Sequence, residues 1–138
     1  MMRVLADTGP IVALLDRSEA QHAWACARFD ALMPPLFTCE AVIAEATYLL
    51  RSAGVDATGP LDLLDRNVLR LEFSLAAERA AVATLLRRYA PRMDLADACL
   101  VRMTELHRDS SVLTLDSDFR IYRRFGRQLV PATMPERA

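Results

Sequence analysis

The stretch Arg3-Val4-Leu5-Ala6-Asp7-Thr8-Gly9-Pro10 decides the fold. Its apolar run has the length of one buried strand, and Asp7-Thr8-Gly9-Pro10 ends that strand. Pro10 suits the first turn of a helix, and Ile11, Val12, Leu14 and Leu15 continue the helix. A strand that passes directly into a helix begins an α/β alternation.

The same alternation runs outward along the chain. Ser18 and Gln21 form a capping box for a helix through Trp24, Cys26, Phe29 and Leu32, stopped by Pro34-Pro35. A short strand is predicted over 36–38. Thr38 is placed to cap a helix over 40–53, with Gly54 as its stop. A short helix follows over 59–65, then an edge strand within 68–73 whose side chains alternate. Ser74 caps a helix over 76–89, and Asp94 caps another over 95–107. A strand at 112–115, a turn at 116–118, a short helix over 119–125 and a last strand near 128–130 complete the pattern. Residues 131–138 read as a frayed tail. There is no repeat, low-complexity tract or linker, so 1–138 is expected to be one domain.

Strands alternating with helices predict a mainly parallel sheet covered on both faces, an α/β/α sandwich. Ligands of such sheets bind at the carboxyl ends of the strands. Asp7 and Asp116 each follow a predicted strand directly, so they belong at the same sheet edge.

Composition narrows the chemistry. The 138 residues are 53% hydrophobic and 25% charged, with a net charge of -1. No global field attracts nucleic acid, so RNA binding would depend on local arginines. The chain has no lysine, and all its cationic side chains apart from histidine are arginine. That excludes a P-loop, a Schiff-base enzyme and a lysine-dependent receiver domain. Cys26, Cys39 and Cys99 lack metal-site or disulfide-framework spacing and read as small buried hydrophobes. No segment has the apolar length of a membrane span, and the N-terminus has no signal-peptide core. A soluble cytoplasmic protein is expected.

Several acidic residues are out of place. Glu45 interrupts Ala41-Val42-Ile43-Ala44 and Ala46-Thr47-Tyr48-Leu49-Leu50. On a helix its near neighbours are Ala41, Val42, Tyr48 and Leu49. An ionised carboxylate on such a surface costs several kcal/mol unless a partner compensates it. Asp97 is followed one turn later by Leu100 and Val101. Each acid also has a structural explanation: Asp7 as a helix cap, Glu45 as a solvated glutamate on a polar stripe of its helix, Asp97 as a first-turn aspartate, Asp116 and Asp118 as turn residues. As a set they are stronger, with two acids at strand ends and two at apolar helix positions.

Clustered like charges need a cation or raised pKa values. All-oxygen ligands suit Mg²⁺ or Mn²⁺, and no His/Cys cluster supports zinc. Such a metal lowers the pKa of a water, orients it and stabilises charge on a phosphoryl oxygen, as phosphodiester hydrolysis requires. There is no Gly-x-Ser-x-Gly, and His22 and His107 read as surface or packing residues.

These residues resemble the PIN-domain nucleases, especially the VapC-like toxins of toxin–antitoxin pairs. Arg3-Val4-Leu5-Ala6-Asp7-Thr8-Gly9 is similar to the family's opening strand and first aspartate. Ala41-Val42-Ile43-Ala44-Glu45-Ala46, Leu95-Ala96-Asp97-Ala98 and Leu113-Thr114-Leu115-Asp116-Ser117-Asp118-Phe119 are similar to the later motifs, in order. The departure is Gly9, where serine or asparagine is also frequent. The resemblance implies a PIN-like α/β/α sandwich, a Mg²⁺- or Mn²⁺-dependent endoribonuclease, a homodimer and an antitoxin partner. It implies site carboxylates Asp7, Glu45, Asp97 and Asp116, an auxiliary Asp118, and hydroxyls of Thr8 and Thr114 that orient Asp7 and Asp116. Candidate RNA contacts are Arg87, Arg88 and Arg92, with Arg120, Arg123, Arg124 and Arg127 after Asp116. Two rivals remain: a catalytically inactive PIN-like binding module, and a haloacid-dehalogenase-like phosphatase, which would need an acid at Gly9 and a lysine.

Overall fold

The structure is a computed structural model that describes residues 2–136. Its first half runs β1 (Arg3–Ala6), α1 (Thr8–Leu15), α2 (His22–Ala31), β2 (Leu36–Thr38), α3 (Glu40–Ser52), α4 (Gly59–Asp65) and β3 (Leu69–Leu71). Its second half runs α5 (Leu75–Arg88), α6 (Leu95–Leu106), β4 (Ser110–Leu113), a 3-10 turn (Ser117–Arg120), β5 (Arg123–Arg124), β6 (Gln128–Leu129) and β7 (Ala132–Thr133). Five strands make one sheet in the order β3-β2-β1-β4-β7, and every neighbouring pair is parallel.

All four β4 residues are buried, as in a sheet covered on both faces. Leu5, Ala6, Val112 and Leu113 of the central strands pack into the core with Ile11, Val42, Leu50, Leu100 and Val101 of the helices. The fold is the expected three-layer α/β/α class. No helix among the described residues is long and apolar enough to cross a membrane.

Several local expectations are corrected. Ser18 donates to the Asp16 carboxylate (2.7 Å) instead of capping α2, whose N-cap Gln21 makes no side-chain bond. Thr38 does not cap α3. Its hydroxyl donates to the Ala6 carbonyl (2.9 Å) and ties β2 to β1, while Cys39 holds the N-cap position. Ser74 and Asp94 cap α5 and α6 as expected, and Asp94 with Asp97 forms a full capping box.

The largest corrections lie at the C-terminus. The helix expected over 119–125 is only the 3-10 turn, because Phe125 (φ 52°) and Gly126 (φ 77°) adopt left-handed backbone and fold the chain into the antiparallel β5–β6 hairpin. Residues 128–129 belong to that hairpin and not to the main sheet. The chain expected to fray instead forms edge strand β7, paired Val112↔Ala132 and Leu113↔Thr133. The last positions of that expected tail, 137 and 138, lie outside the described residues.

β7 supplies acceptors for Val112 N (2.8 Å to the Pro131 carbonyl) and Thr114 N (3.1 Å to the Thr133 carbonyl). Truncation after Val130 removes both, at about 1 kcal/mol each. It should lower the thermal midpoint in circular dichroism. An unchanged midpoint would contradict the structural role of β7.

Candidate active site

The β1–β4 pairing sets the site. Ala6 lies opposite Leu113, and Asp7 N donates to the Leu113 carbonyl (3.0 Å). Asp7 therefore leaves β1 beside the end of β4, at the carboxyl edge of the sheet. It is also the N-cap of α1, and its Oδ1 accepts from Thr8 N (2.8 Å). β4 ends at Leu113, so Asp116 lies on the connection beyond the strand and not directly at its end.

Thr114 joins these two acids. Its hydroxyl donates to Asp7 Oδ2 (2.6 Å) and accepts from Asp116 N (2.9 Å). The threonine expected to orient Asp116 thus orients the Asp7 carboxylate and fixes the Asp116 backbone. Thr8 contributes its backbone N–H to Asp7. Its buried hydroxyl faces Glu45 without closing a hydrogen bond.

The helices bring in the other two acids. Glu45 is half-buried on α3, whose outer surface exposes Tyr48 and Leu49, so its apolar setting is real. Asp97 is 6% exposed, in the first turn of α6. Its Oδ2 accepts from the hydroxyl of Tyr122 (2.9 Å), which is itself fully buried. The Tyr122 ring is held edge-on by Tyr89 (5.2 Å) and Phe119 (5.3 Å). Nothing in the sequence directs attention to Tyr122, because its hydroxyl partner is set by tertiary folding.

The four acids are electrostatically linked. Burial pushes Asp7 up to about 6. Its Thr114 and Thr8 hydrogen bonds oppose the rise, and the charges of Glu45 and Asp116 add to it. Burial also pushes Asp97 up to about 7, with Asp94 as the next cause and the Tyr122 hydroxyl opposing. Glu45 is raised by burial and then by Asp94. The sequence marks Asp94 only as a cap. It is one, but its charge also bears on Glu45 and Asp97.

Among the described residues, no three His, Cys, Asp or Glu side chains stand in a geometry ready to hold a metal ion. Each carboxylate is held to its own surroundings: Asp7 by Thr8 and Thr114, Asp97 by Tyr122, Asp116 by the Asp118 N–H (2.9 Å). The donor set nevertheless fits a hard divalent cation. It is all oxygen, its buried members resist ionisation, and an unpartnered hydroxyl lies among them. Asp118 points elsewhere and pairs with Arg92 (2.9 Å).

The arginines divide into two groups. Arg123 donates to the carbonyls of Arg120, Ile121 and Tyr122, and Arg124 to those of Thr104 and Arg108, so both are committed to holding backbone. Arg87, Arg88, Arg92 and Arg120 are exposed. Arg88, Tyr89, Pro91 and Arg92 line a cleft of about 600 Å³ together with Asp118.

The PIN domain family model matches residues 4–124. The chain belongs to the PIN-domain family. Ribonuclease VapC26 of Mycobacterium tuberculosis is 31% identical over 116 residues, which cover 82% of this chain and 86% of that protein. The crystal structure of Mycobacterium tuberculosis VapC20, a Sarcin-Ricin loop cleaving toxin, matches with a TM-score of 0.69 at 20% identity. That match covers 83% of this PIN-domain chain and 91% of VapC20. Family membership removes the haloacid-dehalogenase-like alternative. Gly9 packs on Leu115: an added Cβ would lie 3.1 Å from the Leu115 Cβ.

The raised carboxyls set a pH dependence. A carboxyl raised to about 6 or 7 favours folding most when protonated. Its contribution is intact below the unfolded value of 3.8 and is lost as pH rises through the folded value. In metal-free buffer the protein should therefore lose stability as pH rises from about 4 to about 7. Asp7→Asn should recover about 1–3 kcal/mol at pH 8 in chemical denaturation. A stability profile that Asp7→Asn leaves unchanged would contradict the burial of an ionised Asp7.

Proposed function

We propose that this PIN-domain protein is a Mg²⁺- or Mn²⁺-dependent endoribonuclease and the toxin of a VapC-like toxin–antitoxin pair. The observation that carries the proposal is the convergence of Asp7, Glu45, Asp97 and Asp116 at one sheet edge, with two of them buried. The relative named a ribonuclease, at 31% identity, supports RNA as the substrate.

Asp7, Asp97 and Asp116, with Glu45, would hold the ion, which requires their side chains to turn toward a common centre. When bound, the ion supplies positive charge to a phosphate oxygen and acidity to a water. The chain's own groups do the rest. Thr114 keeps Asp7 and the Asp116 backbone in register, and Tyr122 keeps Asp97 aimed. Asp97 or Asp7 would help to remove a proton from the attacking water. In-line attack leaves a 5′-phosphate and a 3′-hydroxyl. Arg87 and Arg120 would meet backbone phosphates directly, and Arg88 and Arg92 after leaving the Gly126 carbonyl (2.7 Å) and Asp118. Arg123, Arg124 and Asp118 would serve the site only by holding its frame. A protein antitoxin that covers the acidic edge, a homodimer and a cytoplasmic location complete the proposal.

The test is cleavage of a defined RNA with end analysis. Native protein with Mg²⁺ or Mn²⁺ should give 5′-phosphate ends, and EDTA should abolish cutting. Glu45→Gln should lose about 100-fold or more in rate without a fall in metal-free stability. Cyclic phosphate ends, or full activity in EDTA, would overturn the metal mechanism. Cleavage that survives Glu45→Gln would reduce Glu45 to a structural residue.

A further inference from the structure

Cys39 and Cys99 are distant in sequence and unrelated by any motif, yet they meet in the fold. Cys39 holds the N-cap position of α3, and Cys99 lies early in α6. Each is nearly fully buried, at 2% and 1% exposure. The two thiols lie close together where α3 packs on α6, near enough for each to perturb the other. Both also line one cleft of about 340 Å³, together with Glu40, Phe73, Ser74 and Leu75. Glu40, Ser74 and Leu75 at its rim are exposed, so a small molecule has a route to the pair. Cys26 stands apart on α2, next to the ring of His22 (Sγ to Nε2 3.5 Å).

We propose that Cys39 and Cys99 are a modification site: a peroxide entering this cleft converts them to a reversible intramolecular disulfide. One sulfur attacks the peroxide. An S–O bond forms, the O–O bond breaks, and water leaves with the thiol proton, giving a sulfenic acid. The second sulfur then attacks the first. The S–S bond forms, the S–O bond breaks, and a second water carries away the remaining thiol proton. Two thiols lose two electrons and two protons, and the peroxide gains them. A dithiol reductant reverses the change by exchange. Because both cysteines line one cleft between packed helices, movement of α3 toward α6 brings the sulfurs to bonding distance, about 2.05 Å. The product joins the helix that carries Glu45 to the helix that carries Asp97. Nuclease activity is not required for this chemistry.

The test uses full-length Cys26→Ser protein, so that only the pair can react. It is treated with hydrogen peroxide, alkylated while denatured, and measured by intact mass. We expect the loss of two hydrogens, no alkylated thiol, and a tryptic cross-link between peptides 29–51 and 93–102. Dithiothreitol should restore two alkylatable thiols, and the oxidised form should melt higher than the reduced form, because the link constrains the unfolded chain. Two free thiols after peroxide, stable oxygen adducts without the cross-link, or a link between two chains would each overturn the proposal.

Discussion

Parallel pairing of β1 with β4 is the constraint on which the acidic site depends. Ala6 opposite Leu113 places Asp7 beside the connection that follows β4. Thr114 then closes the joint, donating to Asp7 and accepting from the Asp116 backbone. β7 fixes Thr114 in turn, through the bond from its backbone N–H to the Thr133 carbonyl. A chain of backbone and hydroxyl contacts thus runs from the edge strand to the first carboxylate. Residues far apart in sequence meet there because the sheet is parallel, and parallel strands end together.

The second constraint is repulsion. Asp7 and Asp97 are both almost fully buried, and neither is paired with a cation within the described fold. Burial is the first cause of their raised proton affinities, and neighbouring carboxylate charges add to it. A fold shaped only for stability would replace such carboxyls with apolar groups. Retaining four of them at one sheet edge is consistent with a bound divalent ion, which converts the same repulsion into affinity. The supporting groups follow that logic: Thr8, Thr114 and Tyr122 offer hydrogen bonds to carboxylates, and among the described residues no arginine pairs with Asp7 or Asp97.

Much of this was legible in the sequence. The first strand, its terminal aspartate and the caps at Ser74 and Asp94 all follow from local chemistry. Glu45 was legible because a charge in an apolar helix is anomalous. The C-terminal segment was not legible. Phe119, Tyr122 and Phe125 have an apolar spacing compatible with a helix, but left-handed backbone at Phe125 and Gly126 makes a hairpin. The hydroxyl roles also escaped local reading. Thr38 binds across to Ala6, Thr114 across to Asp7, and Tyr122 to Asp97, each a partner that exists only after the sheet and helices dock. Cys39 and Cys99 are a similar case, since two apolar-looking positions become a contact only through packing.

If the four carboxylates form one metal site, the site must concentrate a divalent ion at this sheet edge. Its most direct measurement is the anomalous difference map of a crystal grown with Mn²⁺. The expected map has a peak bound by Asp7, Asp97 and Asp116, with Glu45 beside it and Thr114 still bonded to Asp7. A map without a peak at this sheet edge, or with manganese bound only elsewhere, would contradict it.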